Sequence, residues 1–245
     1  MVGSASRVVC SIFITLGVLL VALSVRADPG SALDVWQRAC STGGEQGLCV
    51  RVSSLTYPAG TCGSRKGVGL EVMRAPVSPW VREALRRAAR PRNKDADQRR
   101  RAQQALIDMD LEDYLRLPPL PLLDFDPQKP AVVEKSKKAF ADWLRLRTRA
   151  SVDLSARLSQ VKGRPGFAHH RAIALYGSFA SAIEHSRIPS NVSSGTYAAD
   201  LSNAYCDALA DAAKPLHVKH DQALAGCKGL EDAGWSAACA AIRFR

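Results

Sequence analysis

The chain has no CxxC and no CxxCH. The first absence removes the usual dithiol redox motif and the paired-cysteine zinc pattern. The second excludes covalent attachment of a c-type haem. There is no GxSxG, no HExxH, no P-loop and no GxGxxG, and the serines offer no SxxK in a catalytic context. Each of those motifs sets a nucleophile, a metal-bound water or a phosphate-cradling turn where its chemistry needs it. Without them the sequence points to no reaction and no cofactor, and the expectation is a protein that is not an enzyme. No clean repeat of 34 or roughly 40 residues recurs either. Acidic side chains are the scarcer charge, 23 Asp+Glu against 34 Lys+Arg, for a formal net charge of +11.

What is present begins with an export signal. Arg7 is a positive leader, and "VVCSIFITLGVLLVALSV" (8–25) is an uninterrupted apolar run. "VRA" (25–27) then sets a small residue at a cleavage point, so residues 1–27 read as a signal peptide cut after Ala27. The run is also just long enough to cross a bilayer, which keeps an uncleaved N-terminal anchor as the alternative. Cys10 lies at the start of the run, away from where lipid attachment would need it.

Cutting there leaves six cysteines: Cys40, Cys49, Cys62, Cys206, Cys227 and Cys239. An even number in an exported chain implies a disulfide framework in an oxidising compartment. Their separations of 9, 13, 21 and 12 residues within each cluster fit no zinc pattern. Cys227 and Cys239 flank the turn "KGLEDAGW" between two predicted helices, and Cys40 and Cys49 bracket "STGGEQGL". Those two pairs are expected across their turns, which leaves Cys62 to Cys206 by elimination. Free cysteines working in redox exchange are the rival reading.

The pattern along the chain is helical. A short helix is predicted over 31–42, and 48–75 reads as two short strands or an irregular loop pinned by Cys49 and Cys62. Helices follow over 76–90, with Ser78 as N-cap and Pro79 at the first helical position, and over 95–117. "PPLPLLDFDPQKP" (118–130) is too rich in proline for a helix. It reads as an extended strap burying Leu120, Leu122, Leu123 and Phe125. Further helices are predicted over 131–163, 167–186, 196–230 with a kink at Pro215, and 231–244. On 131–163 the apolar stripe reads as Val133, Phe140, Trp143, Leu144, Leu146, Val152, Leu154 and Leu158. The fold class is therefore all-α: helical hairpins in an irregular alpha-solenoid or TPR-like bundle, with a short irregular or two-stranded N-terminal segment. The expected divisions are a signal peptide (1–27), a cysteine-containing segment (28–75) and a helical domain (76–245).

One surface stands out. Arg82, Arg86, Arg87, Arg90, Arg92, Lys94, Arg99, Arg100 and Arg101 crowd into 82–101 against Glu83, Asp95 and Asp97, an excess of six positive charges (nine minus three). In a cytosolic chain nucleic acid would come first. Export turns the reading away from nucleic acid, toward an anionic membrane surface, a cell-wall polymer or an acidic protein. In "HVKHD", His217, His220 and Asp221 share a helix face and could meet a metal, but a solvated helix surface is the favoured reading. His169 and His170 point to different sides of a helix. "DMDLEDY" (108–114) reads as a helix face with caps.

"WQRACSTGG" (36–44), "TCG" (61–63), "DLEDYLRL" (110–117), "FDP" (125–127), "RIPSN" (187–191), "AYCDALADAAKPL" (204–216) and "AGW" (233–235), with Cys227 and Cys239, come in a familiar order. The chain resembles the C-terminal region of exported tetratricopeptide-repeat-like envelope proteins of gliding bacteria. Two departures stand against that likeness: members usually carry a long repeat array ahead of this region, and their matching segment continues past "AGW". The resemblance implies an all-helical envelope protein that holds other proteins and brings no catalytic residues. The expected function is thus an exported cell-envelope scaffold, in the periplasm or on the outer surface, with an envelope protein as partner. The alternative is a binder of anionic cell-wall polymer or membrane surface through Arg82, Arg86, Arg87, Arg90, Arg99, Arg100 and Arg101. A second alternative is an envelope hydrolase without a recognisable motif.

Overall fold

The computed structural model describes residues 29–38, 40, 48–242 and 244. The leader expected over 1–27 lies outside the described residues. Among those described, seven helices and two strands follow in order: α1 Pro29–Arg38, β1 Val50–Thr56, β2 Lys66–Val72, α2 Pro79–Ala88, α3 Ala96–Leu115, α4 Pro130–Ser159, α5 Pro165–Glu184, α6 Ala198–Lys228 and α7 Ala233–Ala241. The protein is mostly helical with one small two-stranded antiparallel sheet. None of the described helices is long and apolar enough to cross a membrane.

The chain forms two compact units, and they divide it otherwise than the expected cuts at 28–75 and 76–245. One unit joins the described residues up to Arg38 with Val77–Leu106; the other joins Cys40–Pro76 with the chain from Ile107 onward. In the first unit α1 packs on α2. Ala32, Leu33 and Trp36 of α1 are buried, as are Val81, Ala84, Leu85 and Ala88 of α2. Ser78 precedes α2 at the N-cap position but makes no side-chain cap bond; Pro79, which has no N–H to satisfy, opens the helix. The start of α3 is capped by Asp95, whose carboxylate accepts from the backbone N–H groups of Asp97 and Gln98 at 3.0 and 2.9 Å.

In the second unit α5 is the central element, meeting α4, α6, α7 and β2. Its run "FAHHRAIALYGSFASAI" buries Phe167, His170, Arg171, Ile173–Tyr176, Phe179, Ala180 and Ile183, so it is covered on most sides. Small residues make that possible. A methyl at Gly177 would overlap the ring of Phe244, which lies directly on this position. The hairpin β1–β2 pairs Val50 with Val72 through Thr56 with Lys66, and Leu55 lies across Gly69.

Three cysteine pairs lie at disulfide distance. Cys40–Cys49, Cys62–Cys206 and Cys227–Cys239 have Cα separations of 5.6, 5.3 and 6.4 Å. Three such bridges fit an oxidising, exported location. Cys62–Cys206 spans 144 residues and ties the turn of the hairpin to α6. Bridges that close long loops restrict the unfolded chain most, on the order of 4–5 kcal/mol in the chain-entropy account.

Two expectations about burial are corrected. The strap after α3 is extended, but Leu122 is 72 % exposed; Leu123 is buried, and Leu120 packs half-buried against the core. Polar bonds hold the strap instead. The indole N–H of Trp143 donates to the Pro118 carbonyl at 3.0 Å, and Arg147 donates to the Leu117 and Pro118 carbonyls at 2.9 and 3.2 Å. Ser136 Oγ and Asn191 Oδ1 accept from the backbone N–H groups of Asp124 and Phe125. On α4 the buried stripe is Ser136, Trp143, Arg147, Ser151, Leu154 and Leu158, while Leu146 and Val152 face solvent. The spacing of three and four residues is kept, but polar side chains occupy some core positions: Arg147 donates to strap carbonyls, Ser136 accepts from a strap N–H, and Ser151 donates to the Thr148 carbonyl of its own helix.

Candidate functional site

The basic segment 82–101 belongs to the first unit. With about 3.6 residues per turn, the buried arc of α2 takes Val81, Ala84, Leu85 and Ala88. Trp80, Glu83, Arg86 and Arg87 occupy the outer arc, and Trp80 is 40 % exposed. The structure sorts the nine cations into three groups. Arg86 and Arg87 sit 3.9 and 3.3 Å from Glu83, and Arg100 and Arg101 both pair with Asp97. Arg99 turns inward and donates to the Asn93 carbonyl at 2.6 Å, while Arg82 is half-buried. Arg90, Arg92 and Lys94, on the connection between α2 and α3, are exposed and form no ion pair with any described residue.

That connection is built. The Asn93 side chain donates to the Ala88 carbonyl at 2.8 Å and to Gln98 Oε1 at 2.9 Å, and its Oδ1 accepts from the Asp95 N–H at 3.0 Å. Three cations therefore project from a fixed turn rather than from a loose loop. The exposed pairs beside them are each worth about 0–1 kcal/mol and leave the local excess of positive charge in place.

No family model, no curated protein and no solved structure matches the chain. Its residues alone carry the functional reading.

In the second unit a cleft of about 580 Å³ opens between the hairpin, the end of α5 and α6. Gly63, Ser64, Lys66, Gly67 and Val68 form one wall, Glu184 and His185 another, and Cys206, Ala210 and Phe244 close it. His185 caps the end of α5 and stacks on Tyr57, ring centroids 3.8 Å apart. Its Nδ1–H donates to the Ser181 carbonyl at 3.0 Å, and Nε2 bonds to no described residue. Tyr57 and Ser181 share a hydroxyl–hydroxyl bond of 3.1 Å. A smaller cavity of about 250 Å³ shares Val68 and Phe244 with the cleft and is lined also by Leu55, Tyr57, Leu70, Leu117, Arg147 and Ser181.

The "HVKHD" reading is corrected. His217 and His220 are buried, not part of a solvated face. His217 Nε2–H donates to Glu184 Oε1 at 2.6 Å, and His220 Nδ1 lies 2.9 Å from its neighbour Asp221. The two rings serve different partners, and among the described residues no group of three or more His, Cys, Asp or Glu could hold a metal.

"DMDLEDY" is corrected as well. Asp108 and Glu112, one turn apart on α3, are both buried. Arg171 meets Asp108 bidentately, Nε–Oδ1 2.9 Å and NH2–Oδ2 3.1 Å, with side-chain exposures of 1 % and 7 %. Arg74 meets Glu112 at 2.9 Å with exposures of 2 % and 1 %, and Glu112 Oε1 also accepts from the Cys49 N–H at 3.2 Å. Burial pushes the Glu112 carboxyl up to about 7 against the pull of Arg74. Burial also pushes Asp108 up and the Arg74 guanidinium down. The ordinary guanidinium value lies so far above neutrality that a buried arginine keeps its charge. Next to Arg171, His170 is held down to about 3 by burial and then by that guanidinium. This double pair is sealed from solvent and from both cavities. It is a structural tie between α3, α5 and the chain around Arg74.

Sequence reasoning reached the basic segment and the cysteines. It missed His185, Ser181 and Tyr57 as neighbours, because 124 residues separate Tyr57 from Ser181 and no spacing rule joins them.

Proposed function

We propose that this chain is an exported, non-catalytic binding protein of the cell envelope, working in the periplasm or on the outer surface. Its first unit docks on an anionic envelope surface through the 82–101 segment. The observation behind this is the exposed triplet Arg90, Arg92 and Lys94, which forms no ion pair among the described residues, on a turn fixed by Asn93. Exposed Trp80 on the neighbouring arc adds an amphipathic ring of the kind that settles at a membrane–water boundary. Basic side chains near an anionic surface contribute about 1 kcal/mol each, so the triplet supplies about 3 kcal/mol, roughly a hundredfold in affinity. Helices stapled by disulfides suit a part that must keep its shape outside the cell.

The test is cosedimentation with vesicles containing phosphatidylglycerol, beside neutral phosphatidylcholine vesicles and a soluble polyanion. Binding to the anionic vesicles should fall steeply between low and physiological salt. It should fall at least about a hundredfold when Arg90, Arg92 and Lys94 all become Glu, which removes three attractive charges and adds three repulsive ones, with the circular dichroism unchanged. Equal binding to neutral vesicles, or indifference to the triple substitution, sinks the reading. Retention by an acidic protein with no vesicle binding would favour a scaffold for envelope proteins.

A further inference from the structure

The cleft of the second unit is independent of the basic segment, and its lining has the make-up of a ligand site. Its walls are mainly apolar, with Val68, Ala210, Phe244 and the Cys206 side chain, and a few polar groups stand among them. That combination, at a few hundred Å³, is the ordinary form of a small-molecule pocket.

The polar groups decide what fits. Lys66 is exposed and its ammonium pairs with no described carboxylate. Ser64 Oγ accepts from the Lys66 backbone N–H at 3.2 Å, which leaves its hydroxyl hydrogen free to donate. Glu184, the acid among the lining residues, already has Oε1 bound to His217. His185 lines the cleft beside the stacked Tyr57, its Nε2 bonded to no described residue. A cation and a free hydroxyl donor thus stand on the hairpin wall, facing apolar surface from α6 and Phe244.

We propose that this cleft binds a small amphiphilic carboxylate, its head group taken by Lys66 and Ser64 and its apolar body laid against Val68, Ala210 and Phe244. An amine-headed amphiphile of the same length lacks the charge for Lys66 and meets it like to like. Cys206 lines the same cleft, so an occupant also shields the Cys62–Cys206 bridge from a reductant entering from solvent.

Octanoate is the probe, with octylamine as its control, both titrated by calorimetry against the full chain with disulfides intact. Two exposed positions carry the variants, Lys66→Glu and Ala210→Trp, so neither disturbs the core. The first reverses the head-group charge and the second fills the cleft. Octanoate should bind, octylamine should not, and each variant should weaken octanoate at least roughly tenfold. Saturating octanoate should also slow reduction of Cys62–Cys206 by dithiothreitol in the parent chain and not in Ala210→Trp. Octylamine binding as well as octanoate, octanoate binding that ignores Ala210→Trp, or no octanoate binding at all overturns the assignment.

Discussion

Replacing Arg171 by Met should cost the second unit about 3–5 kcal/mol, the usual price when one member of a buried ion pair is removed and the other stays behind charged. The structure explains why the figure belongs at that size. Arg171 is 1 % exposed and donates to both oxygens of Asp108, while its guanidinium also lies 4.4 Å from the ring centre of Phe167. Met fills much of the same space, so the loss is electrostatic more than a cavity. The Asp108 carboxyl, already raised by burial, then loses its main opposing charge. It must either remain ionised in an apolar surround or take up a proton. Arg74 supplies a weaker pull from farther away.

Urea unfolding followed by far-ultraviolet circular dichroism, disulfides intact, measures this. With slopes of about 1–3 kcal/mol per molar, the midpoint should drop by roughly 1–3 M. The partner variant Asp108→Asn should also destabilise, because it removes the carboxylate charge that Arg171 meets bidentately. Combining the two should cost clearly less than the sum of the singles, with a coupling of about 2 kcal/mol or more. Lower pH should recover part of the stability lost in Arg171→Met, since protonating Asp108 removes the stranded charge. A loss below about 1 kcal/mol for Arg171→Met, or singles that simply add, would refute the argument that this pair is a buried electrostatic tie.

Three further outcomes follow from the same structure. The Glu112 carboxyl sits at about 7 in the folded chain against 4.5 for the ordinary group, so between those values the folded state holds the extra proton. Its contribution to stability is complete below pH 4.5 and is lost as pH rises to 7. His170 works the other way, its value of about 3 against 6.5 costing stability as pH falls. The informative quantity is therefore the difference between the parent and Glu112→Gln, which should move in favour of the parent by up to about 3 kcal/mol from pH 8 to pH 5 in urea titrations. Graded dithiothreitol with alkylation and mass mapping should open Cys62–Cys206 before Cys227–Cys239, because Cys206 lines a cleft while Cys227 and Cys239 are fully buried; simultaneous opening would contradict that. Gly166→Ala should lower stability by about 1–3 kcal/mol, since a methyl there overlaps the Trp235 ring and must displace it, and an unchanged melting curve would show that the ring yields freely.

Much of the fold was legible because it rests on local signals. Proline after a cap-type residue announced α2, alternation on either side of a glycine-rich turn allowed two short strands or an irregular loop where the hairpin lies, and short connections announced two of the cysteine pairs, one of them between two helices. Each is a statement about neighbours along the chain. The basic segment was legible for the same reason, although the sequence does not separate Arg90, Arg92 and Lys94 from the cations that fold back on Glu83, Asp97 and Asn93.

What escaped was polar burial. An apolar stripe predicts which face of a helix turns inward only when the core is apolar. On α4 the inward positions include Ser136, Arg147 and Ser151; the proline strap brings backbone groups that no strand or helix satisfies, and Arg147 takes two of its carbonyls while Ser136 takes the Asp124 N–H. On α3 the stretch from Ile107 to Tyr114 reaches solvent only at Asp110 and Asp113, so nothing in its pattern sets Asp108 and Glu112 apart from those outward acids. Asp108 and Glu112 fall there, and their partners Arg171 and Arg74 arrive from 63 residues downstream and 38 upstream (112 minus 74). A carboxylate read alone on a helix is most economically placed in solvent, because burying it unpaired is so costly. The same cost requires that, once buried, it be matched, and the matching arginine is visible only after the chain has folded. A buried acid is thus a consequence of topology: α3 accepts two of them because α5 and the chain around Arg74 deliver two guanidinium groups to the same depth.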